Sequence, residues 1–212
     1  MKAMLSFCIR SIFSVIFTFF LLLSSFASSF AEIKNANEYQ DMIIGRDSAK
    51  VTVVEYASFT CPHCATFHRE VFPKLKEEYL DTGKVKFIYR EVYFDAPGLW
   101  AGLLARCTAN TKSYFGIVDL LYKKQNSWAK GASEKEILNG LFAIGRQLGF
   151  EDSRVTECLQ NEPKALNLVR SYQEFAKKDG VTSTPSIVIN GELYKNVTFD
   201  DLKINLDRLL TP

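Results

Sequence analysis

Hydrophobic positions fall along the chain in three rhythms. Ser11 to Leu23 is a short, mostly apolar run without a charged residue, preceded by Lys2 and Arg10 and followed by small residues up to Ala31. β-Branched, strand-like runs come next, at Val51 to Phe59 ("VTVVEYASF") and Val85 to Phe94 ("VKFIYREVYF"). Between them, Phe67, Val71, Leu75 and Tyr79 repeat at helical spacing, predicting a helix over about Pro62 to Tyr79 with a kink at Pro73, where a backbone donor is missing. From Ala96 to about Glu162 the period is helical throughout. Ser133 with Glu136 reads as a capping box, and Gly149 as a helix stop. A helix over about 164–178, ended by Gly180, is followed by a strand at Ser186 to Ile189, the turn Asn190-Gly191, a return strand at Leu193 to Lys195 and a last helix over about 200–210. Asn-Gly between two apolar runs predicts a tight hairpin, because both turn positions need positive φ. Glu32 to Lys50 reads as a polar lead-in.

The first rhythm has the form of an export signal, with a basic start, an apolar centre and Ser29-Phe30-Ala31 as the cleavage site. Ser25 and Ala27 offer a second cleavage site, and an uncleaved anchor is the alternative. The organisation expected is residues 1–31 as signal, 32–95 and 164–212 as two parts of one α/β domain, and 96–163 as a helical insertion. Without Lys2 and Arg10, basic and acidic residues balance at 24 each. Nothing in that balance calls for nucleic acid or a polybasic membrane contact. Four cysteines remain after the signal, Cys61, Cys64, Cys107 and Cys158, and an even count in an oxidising compartment favours pairing over free thiols.

The chemistry concentrates in "FTCPHC", Phe59 to Cys64, where a strand empties into a helix. Cys61 at the helix start meets unpaired N–H groups and the positive end of the helix dipole, which stabilise a thiolate. Pro62 suits the first helical position, and His63 adds a donor or a positive charge. Stabilising the thiolate stabilises the reduced form and makes the disulfide a stronger oxidant. Cys64, one turn in, is the buried resolving partner. A zinc site would need two ligand pairs, and Cys107 and Cys158 are solitary, so no metal is assigned. A structural staple is poorly motivated, because a three-residue span restricts the unfolded chain little. His68 reads as a partly packed surface histidine. Glu55 lies on the strand side shared by Ala57, Phe59 and Cys61, either as a buried proton acceptor or as a carboxylate satisfied by a hydrogen bond or by solvent. Thr184-Pro185, just before a strand, is a plausible cis step.

Taken together, "VVEYASFTCPHC", the helical block and "GVTSTPSIVINGELY" resemble the DsbA family of exported thiol-disulfide oxidoreductases, in particular α-proteobacterial DsbA-like proteins. The resemblance covers essentially all of the chain after the signal. It implies a thioredoxin fold, a central mixed sheet flanked by helices, with an inserted all-helical domain. It implies a periplasmic protein dithiol oxidase with Cys61 as the exposed redox cysteine, Cys64 as its partner and His63 as stabiliser of the thiolate. Thr184 and cis-Pro185 would lie against the disulfide and pair with substrate, and Glu55 would assist proton movement at Cys64. A lysine of well-known members is replaced by Tyr89, which unsettles that last role. Cys107 and Cys158 are expected to form a structural disulfide like one in some relatives, worth about 4 kcal/mol. The expected partners are reduced exported proteins and a DsbB-like membrane reoxidant, with a monomer, no cofactor and no nucleic acid. A disulfide isomerase or reductase on the same fold is the nearest rival, though only a short segment precedes the first strand to supply a dimerisation domain. A non-catalytic peptide-binding chaperone and a metal carrier are further alternatives.

Overall fold

The structure, a computed structural model, describes residues 39–108, 110–195 and 197–211. The expected signal at residues 1–31 lies outside these. Five strands form one mixed sheet in the order β1-β3-β2-β4-β5. They are β1 (Met42–Ile44), β2 (Val51–Ala57), β3 (Val85–Glu91), β4 (Ser186–Ile189) and β5 (Glu192–Lys195). β2 pairs parallel with β3 and antiparallel with β4, so it occupies the centre. Every residue of β2 except Thr52 is buried, which is why it reads as a continuous apolar run rather than an alternating one.

The helices are α1 (Pro62–Glu70), α2 (Phe72–Leu75), α3 (Ala96–Ala105), α4 (Thr111–Lys123), α5 (Gln125–Trp128), α6 (Glu134–Gln147), α7 (Asp152–Leu159), α8 (Glu162–Lys178) and α9 (Phe199–Leu210), with a π-turn at Lys76–Leu80 after α2. One sheet face, through Val51, Val53, Ala57 and Ile187, packs against α1, the α3–α7 block and Leu202 and Leu206 of α9. The other face, through Val54, Tyr56, Ile88 and Val188, is covered by Tyr172 and Phe175 of α8. The result is a thioredoxin-like sheet between helices, with a run of helices, α3 to α7, intervening between β3 and α8. Among the described residues no helix is long and apolar enough to cross a membrane.

Several local expectations change. The lead-in contains β1, a three-residue edge strand antiparallel to β3. The strands β2 and β3 end at Ala57 and Glu91, short of Phe59 and Phe94. The first long helix breaks at Val71 rather than at Pro73. Pro73 instead occupies the first turn of α2, where its missing N–H costs nothing. Ser133 accepts from the Glu136 N–H at 3.3 Å, but Glu136 reaches back to the N–H of Ala132, one residue short of a reciprocal box. The hairpin turn is as expected, with Asn190 at φ 48° and Gly191 at φ 91°. Asn190 also accepts from the N–H of Thr52 at 2.8 Å, tying the turn to the end of the central strand.

Candidate active site

A four-residue turn joins β2 to α1, and side chains from the helical block brace it. Gln125, buried, donates from Nε2 to the carbonyls of Phe59 (2.8 Å) and Cys61 (3.0 Å). Tyr122 donates to the carbonyl of Ser58 (3.2 Å), and Thr60 to Asp95 Oδ2 (2.8 Å). The sequence marks none of these as functional. A glutamine inside a helical run gives no sign that it will satisfy two carbonyls of a distant turn.

Cys61 is the N-cap of α1 with Pro62 in the first turn, and its side chain makes no capping hydrogen bond. The free N–H groups of that turn are therefore left for its sulfur. Cys61 is half-buried and Cys64 fully buried, and the two are unbridged. The Cys61 thiol is pulled down to about 5, first by the hydrogen bond from Cys64, then by Thr184 and by the backbone N–H groups of Cys64 and His63, against the opposing effect of burial. Cys64 is pushed well above the usual thiol range by burial, by its hydrogen bond to Cys61 and by the negative field of Glu55. The contribution of His63 runs through its backbone N–H, and its side chain stands exposed.

The Thr184–Pro185 peptide is cis, and the carbonyl of Thr184 lies 3.4 Å from Cys61 Sγ. Beside them a cleft of about 490 Å³ is walled by His63, Phe67, Glu70, Pro185 and Phe199.

Glu55 is fully buried in β2 with Tyr89 opposite it on β3. Tyr89 does not pair with it, since its hydroxyl meets that of Tyr122 at 2.7 Å. The partner of Glu55 is His68, whose Nε2 lies 2.9 Å from Oε2. His68 is 8% exposed and stacks between Tyr122 and Phe72, at 4.4 and 5.0 Å between ring centroids. The reading of His68 as a surface residue is thus overturned. Its position one helical turn after Cys64, on the same face, was the available signal. Arg90 belongs to the other sheet face, paired with Asp41 (2.9 Å) and Asp179 (3.3 Å). Cys107, just after α3, and Cys158, in α7, form a disulfide across 51 positions with Cα atoms 5.6 Å apart.

Comparison with known proteins agrees with this arrangement. A family model described as Thioredoxin matches residues 37–208. A Rickettsia conorii protein provisionally named a protein-disulfide oxidoreductase is 33% identical over 80% of this chain, and the chain spans 60% of that relative's length. Disulfide bond formation protein D of Bacillus subtilis is 27% identical, over 79% of this chain and 76% of its own. Among solved structures, alpha-DsbA1 of Wolbachia pipientis superposes with a TM-score of 0.73 at 28% identity, over 81% of this chain and 91% of its own. Oxidised BdbD of Bacillus subtilis gives 0.70 at 25% identity, over 80% and 92%. By the family match and these relatives, the chain belongs to the thioredoxin family as a DsbA-like protein.

Proposed function

We propose that this protein is an exported protein dithiol oxidase that hands its Cys61–Cys64 disulfide to newly exported proteins. The observation that carries the reading is the separation of the two thiols. Cys61 is reachable and drawn down to about 5, while Cys64 is fully buried and pushed up. A pair so divided makes its reduced form a good place for electrons, with Cys61 as thiolate and Cys64 as thiol.

A substrate thiolate attacks Cys61 Sγ, the Cys61–Cys64 bond breaks, and Cys64 leaves with the electron pair and takes a proton. A second substrate thiolate then attacks the substrate sulfur of the mixed disulfide and releases Cys61 as thiolate. Two electrons have passed from substrate to enzyme, and no cofactor is needed. Thr184 and cis-Pro185 hold the substrate chain beside Cys61, Pro62 fixes the helix start, and Glu55 serves the proton at Cys64. The names of the Bacillus relatives fit a cycle in which disulfides are made. Export through the N-terminal signal and reoxidation by a DsbB-like membrane partner complete it, and the enzyme acts as a monomer.

The test is the redox equilibrium of the pair against glutathione, read by thiol trapping. A potential well above about −180 mV supports a disulfide donor, and one near about −270 mV makes the protein a reductant instead.

A further inference from the structure

Helix α1 separates two clefts. Its residues His63, Phe67 and Glu70, with Lys74 of α2, face the cleft at Thr184 and Pro185. Pro62, Ala65 and Arg69 of α1, with Pro73 of α2, face a second cleft, of about 510 Å³, bordered also by Asp119 and Tyr122 of α4. His68 is in the wall of this second cleft, while its Nε2 turns inward to Glu55. The other carboxylate oxygen of Glu55, Oε1, is buried and has no hydrogen-bond partner. A carboxylate–imidazole contact kept only for architecture would satisfy both oxygens, because an unmatched buried acceptor is costly.

Resting on the oxidoreductase reading above, we propose that His68 is the positioning residue of a proton path that runs from Cys64 through Glu55 to the cleft between α1 and α4. This exit lies on the face of α1 turned away from cis-Pro185. A protein substrate seated at Thr184 and Pro185 covers Cys61 and the first cleft, and Cys64 has no surface of its own. The second cleft stays open during that encounter. When the disulfide opens, Glu55 takes a proton from His68 and passes it to the Cys64 thiolate, and His68 recovers one from water in the cleft. The sum is one proton from solvent to Cys64, with Glu55 and His68 returned to their starting states. In reoxidation the proton leaves by the same groups in reverse. Cys64 then attacks Cys61 Sγ in the mixed disulfide with the oxidant, and the oxidant's sulfur departs as thiolate.

Imidazole suits this place because its two nitrogens can accept on one side and donate on the other. Stacking by Tyr122 and Phe72 fixes the ring, and Tyr89 meets it edge-on at 5.6 Å. The titratable and charged groups facing the pair are Cys64 and Arg69 on α1, Tyr89 on β3, and Tyr122, Asp119 and Lys123 on α4. Burial holds both phenols well above their usual range, so neither competes for the proton.

The experiment follows reduced protein reacting with oxidised glutathione, quenched in acid and resolved by mass. Formation of the Cys61 mixed disulfide and its closure by Cys64 are then separate rates. His68→Gln should leave formation unchanged and slow closure by about a hundredfold, the lower end of what general acid–base catalysis contributes. In His68→Ala, added imidazole should restore closure in proportion to its concentration, entering by the open cleft. Closure at the normal rate in both variants overturns the path, and so does slow closure that ignores imidazole, which is what a structural pair would give. If neither variant folds, Asn126→Trp narrows the cleft from an exposed position with the pair intact, and unchanged closure there overturns the proposal while slowed closure supports it. Failure of the wild-type protein to form any mixed disulfide at Cys61 would instead sink the oxidoreductase reading, so the two failures are distinguishable.

Discussion

The molecule holds two cysteine pairs that differ in every property that matters. Cys61 and Cys64 are three positions apart at a helix start, one half-buried and one fully buried, with thiols driven in opposite directions. Cys107 and Cys158 are 51 positions apart, tie the segment just after α3 to α7, and are both buried. A short span constrains the unfolded chain weakly, so the first pair contributes little as a staple and its disulfide is free to be spent. A long span constrains the unfolded chain strongly, so the second pair contributes stability and gains nothing from being broken. Local environment and loop length together, not the presence of sulfur, divide chemistry from architecture.

The largest effect that could break this comparison comes from exchanging the roles. Cys61→Ser should abolish disulfide transfer to a reduced model peptide, because no sulfur remains to be attacked. The double substitution of Cys107 and Cys158 to Ala should leave the transfer rate near that of the parent. Its cost should appear in denaturant unfolding as about 4 kcal/mol. Loss of transfer in the double variant at a temperature where it is still folded would mean the second pair takes part in the chemistry.

Much of the first pair's setting is legible in the sequence, and the reasons are local. Pro62 in the first turn, the hairpin at Asn190-Gly191 and the buried run of β2 follow from backbone chemistry of adjacent residues. What escapes is long-range. β1 is three residues long and gains its place by pairing with β3 and by the Asp41 to Arg90 ion pair, neither of which leaves a periodic mark. Gln125 braces a turn 64 positions earlier in the chain. His68 was recoverable in principle, since a carboxylate inside an apolar strand demands a partner and a histidine four residues after Cys64 lies on the right helix face. Choosing it over an arginine or lysine required knowing that β3 offers Tyr89 at that register.

A second way to sharpen the comparison uses pH, to which the Cys107–Cys158 disulfide is indifferent. In reduced protein the Cys61 thiol is depressed to about 5 from its ordinary value of 9.0. Below about 5 both folded and unfolded chains carry the thiol, and the contribution is absent. Between about 5 and 9 the folded thiolate is matched by a protonated unfolded cysteine, so stability rises with pH and is fully present above the unfolded value. Cys64 is displaced upward, so above the unfolded value the unfolded chain ionises there while the folded chain does not, and stability falls again. The melting temperature of reduced protein, minus that of protein oxidised at Cys61–Cys64, should therefore rise from pH 5 to 9 and decline beyond. Iodoacetamide should label Cys61 with an apparent midpoint near 5 and leave Cys64 unlabelled in the native state. A flat difference, or labelling of Cys61 only above pH 8, would remove the asymmetry on which the first pair's role depends.

The smallest effect comes from a helix terminus with no sulfur. At the start of α9, Thr198 accepts from the Asp201 N–H at 3.2 Å, and Asp201 accepts in return from the Thr198 N–H at 2.9 Å. The corresponding position of α1 is Cys61, which caps nothing. The same orphan donors are thus satisfied by side chains in one helix and held open for a thiolate in the other. Thr198→Ala should cost about 1 kcal/mol by urea unfolding. Because its partners are the same whatever the redox state, the loss should be equal in oxidised and reduced protein and unchanged between pH 6 and 8. The contribution of Cys61, in contrast, exists only when its thiolate exists, so it must vanish on oxidation. A Thr198→Ala penalty that differed between the two redox states would show that the start of α9, which borders the cis-Pro185 cleft through Phe199, senses the cysteine pair rather than merely framing it.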